Sequence, residues 1–222
     1  MIATGFAAAP PDTPMPRLHD ISPAIDPSLK VWPGDTPPSR EILCTIEGGA
    51  SVTLSTLRTT VHVGAHADGA NHYGAGAGCI HERDLEHYLG PCQVITAKVG
   101  RKQRATLADL AVEPREPRIL IRTSSYPDPT FFNEDFAALD PSLVDSLHSR
   151  GVITIGIDTP SVDLFDSKDL PSHRRFLVND MAILEGLRLG DVPDGRYELI
   201  ALPLPLVGFD ASPVRAVLRE LA

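Results

Sequence analysis

Short runs of aliphatic and β-branched residues recur along the chain, and several alternate with polar residues in the way that half-buried strands do. They cover residues 52–63, 93–99, 118–121, 152–157 and 197–202, and most are bounded by glycine, proline or aspartate. This pattern predicts five strands that are distributed over most of the sequence.

Helical signals fall between these strands. The clearest has Asp140 as a helix N-cap, Pro141 at the first helical position and Gly151 as the stop. Weaker helices are predicted at 106–110 and 213–221. The 21 prolines and 17 glycines indicate long ordered loops. Strands interleaved with helices predict an α/β fold with a mixed, β-rich core and flanking helices.

The length of the chain favours one domain. With 222 residues, 42% of them hydrophobic, the chain can bury one sizeable core. We expect this domain to span residues 18–222, because residues 1–17 are rich in Ala, Pro and Thr and predict a disordered extension. That extension lacks the basic start and apolar stretch of a secretory signal. Hydrophobic runs also fall short of the ~20 residues that a membrane helix needs.

Net charge limits the kinds of binding partner, and the cysteine content indicates the redox environment. A formal net charge of -9 disfavours nucleic acid or an anionic membrane as a partner and favours a small molecule. The three cysteines are an odd number without C-x-x-C spacing, so we expect reduced thiols in a cytoplasmic protein.

Candidate chemistry is concentrated in the segment V-H-V-G-A-H-A-D-G-A-N-H-Y. His62, His66 and Asp68 offer two imidazoles and a carboxylate, which suit Zn²⁺ or Mn²⁺, and His72 follows closely. The glycines of this segment and the Thr/Val-rich run before it argue against a helix. A single histidine is usually structural, but this clustering beside a carboxylate predicts a metal site.

One short segment rarely completes a catalytic metal site, so further ligands should come from elsewhere. His173 and Glu185 are the candidates. Glu185 lies in the otherwise apolar run 181–187, where a carboxylate is costly to bury unless it binds metal or is otherwise paired.

The motif from His62 to His72 resembles the signature of the cyclase-like metal-dependent hydrolases, and among them the bacterial kynurenine formamidases. Further blocks of the resemblance are D-I-S-P, V-W-P-G-D-T-P, I-G-I-D-T-P-S-V-D, M-A-I-L-E-G-L, Y-E-L-I-A-L-P-L and D-A-S-P-V-R-A-V-L-R. They run in order from about residue 18 to the C-terminus. The resemblance implies a cyclase-like single domain of the swivelling β/β/α type.

The same resemblance implies a centre of two divalent metal ions, usually zinc. His62 and His66 would bind one ion and His173 the other, while Asp68 and Glu185 would contact both.

The implied activity is hydrolysis of N-formyl-L-kynurenine to L-kynurenine and formate, in tryptophan degradation, by a metal-activated water. His72 would be the proton donor and acceptor, Trp32 would line the substrate pocket, and the enzyme would be a homodimer. Ala65 and Ala70 replace residues that are common in the family motif, which leaves the ligands intact and the exact substrate shape open.

Three alternatives stay open. A related cyclic-amide or ester hydrolase, such as an isatin hydrolase-like enzyme, would carry the same metal motif. Cys79 with nearby His81 suggests a thiol nucleophile, whereas the G-x-S-x-G motif of a serine route is missing from the sequence. A non-catalytic metal-binding interaction protein would keep the scaffold without the chemistry.

Overall fold

Strands make up most of the regular structure of the chain, which a computed structural model describes from residue 16 to residue 221. The strands in this range are β1 (Leu18–Asp20), β2 (Ser39–Cys44), β3 (Leu54–Arg58), β4 (His66–Asp68), β5 (Leu89–Thr96), β6 (Arg104–Ala105), β7 (Arg118–Arg122), β8 (Ala138–Leu139), β9 (Thr154–Ile157), β10 (Ala182–Glu185), β11 (Gly195–Ile200), β12 (Ala211–Pro213) and β13 (Val217–Glu220). The α-helices are α1 (Pro141–His148) and α2 (Pro171–Asn179), and short 3₁₀ turns cover Ala70–His72, Ile80–Glu82, Leu85–Tyr88 and Leu107–Asp109.

One nine-stranded mixed sheet organises the molecule, with the order β1-β13-β11-β5-β7-β9-β10-β4-β12. Its centre is parallel, because β5, β7, β9 and β10 pair in parallel, whereas the strands on both flanks pair antiparallel. The central strands β9 and β10 are buried along their whole length. Such near-continuous apolar runs are typical of parallel strands covered on both faces.

The core divides into two clusters on opposite faces of this sheet. Neighbouring residues of one strand alternate between them: Leu120 belongs to one cluster and Ile121 to the other. The second cluster includes Leu143 and Leu147 of α1 and Phe176 of α2, so both helices pack on that face. The sheet therefore carries an α/β architecture with a β-rich core, as predicted.

The predicted strands lie where strands are observed, but several of their ends differ from the prediction. The predicted strands 118–121, 152–157 and 197–202 correspond to β7, β9 and β11, and 93–99 corresponds to β5, which begins earlier at Leu89. The predicted strand 52–63 is shorter than expected, because β3 ends at Arg58 and a loop follows. The first helix begins as predicted, since the Asp140 side chain accepts a hydrogen bond from the Ser142 N–H.

Two helix predictions were wrong. Residues 213–221 are extended instead and contain the end of β12 and all of β13. The buried residues Val214, Ala216 and Leu218 alternate with more exposed ones, and β13 pairs with both β1 and β11. Residues 106–110 form only a single 3₁₀ turn, Leu107–Asp109. Helix α2 was not predicted, because it buries little besides Ser172, His173 and Phe176 and so has a narrow apolar stripe.

A two-stranded hairpin, β2 with β3, forms a sheet separate from the nine-stranded one. Nearly all of its residues are exposed, including Ile42, Leu43, Leu54 and Leu57. The hairpin leads directly into the loop that carries His62.

The predicted N-terminal extension, residues 1–17, lies outside the described residues except for its last two positions. Within the described part of the chain, no helix is both long and apolar enough to cross a membrane. Cys44, Cys79 and Cys92 are free thiols, as predicted.

Candidate metal centre

The predicted ligands meet where β10 pairs with β4. Glu185 at the end of β10 is the register partner of His66 at the start of β4, and Asp68 ends the same short strand. Both strands are buried, so their side chains point into the protein. Helix α2 brings His173 to this point from the side, and the loop before β4 supplies His62.

The distances between these side chains are short. His66 Nε2 lies 3.3 Å from a Glu185 oxygen and 3.6 Å from Asp68 Oδ1, and His62 Nδ1 lies 3.3 Å from the same Asp68 oxygen. His173 Nε2 lies 3.7 Å from both Asp68 Oδ2 and Glu185 Oε1. All five predicted ligands therefore surround one point, with Asp68 at the centre.

A backbone carbonyl fixes the orientation of His66. Its Nδ1 lies 2.9 Å from the Gly64 carbonyl oxygen, which can only accept, so Nδ1–H donates there and Nε2 is directed at Asp68 and Glu185. Gly186, with φ +66°, lies against this carbonyl, and a Cβ there would come within 2.2 Å of the Gly64 oxygen. Only glycine at position 186 leaves that carbonyl in place.

A buried carboxylate orients His173. Asp163 Oδ2 accepts hydrogen bonds from the His173 backbone N–H at 3.1 Å and from its ring Nδ1–H at 2.9 Å. The same carboxylate accepts from the Ser172 N–H and from Arg104, and so closes the first turn of α2. Burial favours the neutral acid, but His173 and Arg104 outweigh it and lower the pKa of Asp163 to about 2.

Asp210 has the equivalent contact with His62. The Asp210 side chain lies 3.0 Å from His62 Nε2, which leaves His62 Nδ1 facing Asp68. Each of the three candidate ligand histidines thus has one ring nitrogen held by an oxygen and the other directed to the centre. Metal-ligating histidines usually have this arrangement.

The unpaired polar atoms at this point fit a metal ion. His66 Nε2 and both oxygens of Asp68 are buried, and in the described structure none of the three has a hydrogen-bond partner. A buried carboxylate without donors is costly unless a cation compensates it. Ligands bound at ~2.0–2.1 Å in a tetrahedron lie ~3.3 Å from one another, close to the spacings observed here. The nitrogen and oxygen donors suit zinc or manganese.

The protein groups by themselves already carry strong charge coupling. Burial disfavours charged imidazole, but nearby carboxylates prevail. Asp68 and Asp210 raise the pKa of His62 to about 9, and Asp163 and Asp68 raise that of His173 to about 10. Burial likewise opposes ionisation of Asp68, yet His173 and His62 hold its pKa well below the usual range. The cluster therefore surrounds the Asp68 carboxylate, which is buried as an anion and is stabilised by nearby positive charge.

A cavity of about 320 Å³ opens onto the cluster. His62, His66, His72, His173 and Glu185 contribute to its wall, and most of the remaining wall is apolar. The apolar lining residues are Pro23, Leu29, Val31, Trp32, Tyr126, Pro129, Phe132, Pro160, Leu170 and Leu187. A cluster of candidate metal ligands below a mostly apolar pocket is an arrangement suited to a small aromatic molecule.

Trp32, the predicted substrate-contact residue, belongs to an aromatic group in this wall. Its ring lies 5.0 Å from that of Phe165, and it makes edge contacts with Phe132 and Phe136 at 5.7 and 6.2 Å. These neighbours hold the indole at the cavity while it remains 37% exposed.

His72, the predicted proton carrier, lies at the mouth of the cluster. It ends a 3₁₀ turn, lines the cavity and is more exposed than the buried ligands. Its ring centroid is 4.2 Å from that of His62 and 6.2 Å from that of His173. A proton carrier needs this contact with both the cavity and the cluster.

Two residues at this site were not predicted, Asp163 and Asp210. Both lie in sequence blocks that were recognised, but neither was assigned a role. The available signal was chemical: every ligating histidine needs an acceptor for its other ring nitrogen, so further carboxylates had to be sought. Cys79 and His81, the alternative nucleophile pair, are not among the described residues that line the cavity.

Comparison with known proteins identifies a family model and a closely similar enzyme that agree with each other. The model of the Cyclase family, described as "Putative cyclase", matches residues 19–164. Kynurenine formamidase of Bordetella pertussis is 46% identical over 210 residues, which cover 94% of this chain and 100% of that protein.

Solved structures support the same relationship. The structure titled a potential metal-dependent hydrolase with cyclase activity is 27% identical with a TM-score of 0.79, and the match covers 93% of this chain and 98% of that one. Isatin hydrolase A from Labrenzia aggregata, bound to benzyl benzoate, also has a TM-score of 0.79, with 19% identity over 93% of this chain and 94% of its own. The predicted cyclase-like fold is thereby confirmed.

Proposed function

Because the chain belongs to the cyclase family, we propose that it is a metal-dependent kynurenine formamidase, which hydrolyses N-formyl-L-kynurenine to L-kynurenine and formate in tryptophan degradation. One observation carries this proposal: the residues of the motif, together with His173 and Glu185, surround the buried and unpaired carboxylate of Asp68 at the base of an apolar cavity. The high identity to the Bordetella enzyme over almost the full chain supports the choice of substrate.

The donor set would divide between two divalent ions. His62, His66 and Asp68 would hold one ion, and His173 with Glu185 and the second oxygen of Asp68 would hold the other. Zinc fits the imidazole-rich set best, and manganese is the alternative. When bound, the ions would supply Lewis acidity that polarises the formyl carbonyl and acidifies water.

Residues of the chain would perform the proton transfers. His72 lines the cavity beside the cluster, so it can take a proton from the attacking water and later give it to the departing aryl nitrogen. An imidazole suits both steps because its ordinary pKa is near neutrality. The C–O bond to water forms, the C–N bond of the formamide breaks, and the proton ends on the amine.

The cavity wall would select the substrate. Trp32 and its aromatic neighbours offer a flat apolar surface to an aryl ring. Charged side chains, among them Lys30 and Arg188, also line the cavity beside the candidate metal ligands. An aromatic ring bound against this wall would direct its formamide towards the histidines.

A direct test combines metal content with substrate choice. The purified protein should be reconstituted separately with zinc and manganese. Formate release from N-formyl-L-kynurenine and ring opening of isatin to isatinate should then be measured beside a buffer blank. We expect turnover of the formyl compound that disappears after exhaustive chelation and returns with metal. Faster hydrolysis of isatin would favour the isatin hydrolase-like alternative, and turnover without metal would exclude the metal mechanism.

We further propose that the enzyme is a homodimer in which the β2–β3 hairpin contributes to the interface. Ile42 is 55% exposed and Leu57 is 60% exposed on this separate two-stranded sheet, and such exposed apolar patches usually mark contact surfaces. Replacing both residues by serine should convert a dimer to a monomer in light scattering. The free thiols support a reducing, cytoplasmic location, which fractionation of the expressing cells would test.

A further inference from the structure

The strand pairing fixes Asp210 beside the metal segment. Asp210 immediately precedes β12, which pairs antiparallel with β4 so that Ala211 faces Asp68. The Asp210 carbonyl also accepts a 2.8 Å hydrogen bond from the Gly69 N–H. The backbone on both sides of this contact is held by the sheet, so the carboxylate has a defined position.

One oxygen of that carboxylate faces two imidazoles. Asp210 Oδ2 lies 3.0 Å from His62 Nε2 and 3.4 Å from His72 Nδ1. The two rings lie 4.2 Å apart at their centroids, with an interplanar angle of 43°. Asp210 is not among the described residues that line the cavity, so it would act on the substrate only through the histidines.

We propose that Asp210 is a positioning residue that holds His72 with Nδ1 towards the carboxylate and Nε2 towards the cavity, while it fixes His62 for the metal centre. This inference rests on the proposed function, because it assumes that His72 carries the proton. His72 is the more exposed of the two rings and lies at the end of a single 3₁₀ turn, so its own backbone restricts it little. Asp210 supplies the missing restraint.

The consequence concerns the leaving group. During hydrolysis, water adds to the formyl carbon, its proton passes to His72 Nε2, and the C–N bond breaks as that proton is delivered to the aryl nitrogen. The Nδ1–H remains directed at Asp210 throughout. An arylamine needs this proton to depart, whereas the 4-nitrophenolate of 4-nitrophenyl formate departs without it.

The test compares these two leaving groups in the zinc-loaded Asp210→Ala variant. We expect turnover of N-formyl-L-kynurenine to fall about 100-fold, as for loss of general acid–base catalysis. Turnover of 4-nitrophenyl formate should fall only about tenfold, because this ester needs His72 as the base for water but not as the acid for its leaving group. Zinc is supplied in excess, because loss of the carboxylate behind His62 should weaken metal binding by about 10–100-fold. Under these conditions bound zinc should remain at the wild-type ratio, since every proposed ligand is still present. Asp210→Asn, whose amide oxygen can still accept from one ring, should recover part of the loss. Asp191→Asn, at an exposed position that does not line the cavity, should match the wild type.

A second readout requires no substrate. Nitrogen-15 NMR of zinc-loaded protein should find neutral His72 protonated at Nδ1 in the wild type and redistributed towards Nε2 in Asp210→Ala. Equal losses on both substrates, loss of bound zinc in excess metal, or an unchanged His72 tautomer would each overturn the inference. A wild type inactive on formyl substrates would instead reject the proposed function, and the NMR result would still decide the role of Asp210.

Discussion

The candidate metal centre has an inner half and an outer half, which differ in burial and in the elements that carry their residues. The inner half is His66, Asp68, His173 and Glu185, on β4, β10 and α2, and these residues are only 2% to 4% exposed. The outer half is His62, His72 and Asp210, which lie in loops and at strand ends and are partly exposed. Burial suits the inner half to holding charge, and exposure suits the outer half to exchanging protons with substrate and water.

The largest effect is expected at the centre of the inner half. Asp68→Asn keeps the volume but removes the charge that the surrounding imidazoles and a cation require. Activity should fall at least about 10⁴-fold, because metal ions supply several kcal/mol of transition-state stabilisation and each 1.36 kcal/mol is tenfold. Elemental analysis should find the bound metal lost together with formate release. A variant that keeps its metal and a tenth of its activity would contradict the central role of Asp68.

Within the outer half, His72 should behave differently, since its loss can lower activity without loss of metal. For His72→Ala we expect a fall of about 10² to 10³-fold in turnover, the range typical of general acid–base catalysis, with unchanged metal content. Formate release and elemental analysis on the same sample provide the comparison. His148→Ala, an exposed histidine at the end of α1, is the matched control. Undiminished turnover in metal-loaded His72→Ala would remove this residue from the mechanism.

A third prediction weakens the support of the inner half rather than a ligand. Asp163→Asn should lower metal affinity by about 10–100-fold, as loss of a partner behind a ligating histidine usually does. Because Asp163 also holds Arg104 and the first turn of α2, the metal-free variant should lose about 1–3 kcal/mol of unfolding free energy. Titration against a competing chelator and urea denaturation measure the two effects. Excess metal should restore most of the activity, and a permanent loss would assign Asp163 a direct catalytic part.

The sequence was most informative about the ligands and least informative about their supports. His62, His66, Asp68 and His72 were recognisable because they lie within one short segment, and a carboxylate in the apolar run of β10 drew attention to Glu185. Asp210 contacts His62 across 148 positions of the chain, and only the pairing of β12 with β4 brings it there. Local patterns do not contain that information.

Secondary structure, too, was predictable from local sequence in some segments and not in others. The buried parallel strand β7 was predicted well, since an uninterrupted apolar run suits a strand covered on both faces. Residues 213–221 were misassigned because their apolar spacing fits both a helix and an alternating strand, and pairing with β1 and β11 decides between them. Sequence periodicity therefore distinguishes helix from strand where burial in the core sets the pattern. It leaves the choice open where pairing with neighbouring strands determines the structure.

The smallest predicted effect lies beyond the metal cluster, at the cavity wall. Trp32→Phe keeps an aromatic ring against Phe165 but reduces the surface offered to the substrate. We expect KM for N-formyl-L-kynurenine to rise about 2–10-fold, the equivalent of one aromatic contact of ~0.5–1.5 kcal/mol, while kcat changes less than about twofold. Steady-state kinetics on zinc-loaded protein separate the two constants.

Ethyl formate, which has no aromatic ring, provides the control for this variant. Its kcat/KM should be the same for Trp32→Phe and the wild type, because the indole would contribute binding energy only to an aryl group. A uniform decrease for both substrates would mean that the substitution disturbs the cluster through Phe132 and Phe136 rather than through the substrate. In that case the aromatic group would be part of the support of the metal centre, and the distinction between a wall that binds and a cluster that reacts would no longer hold.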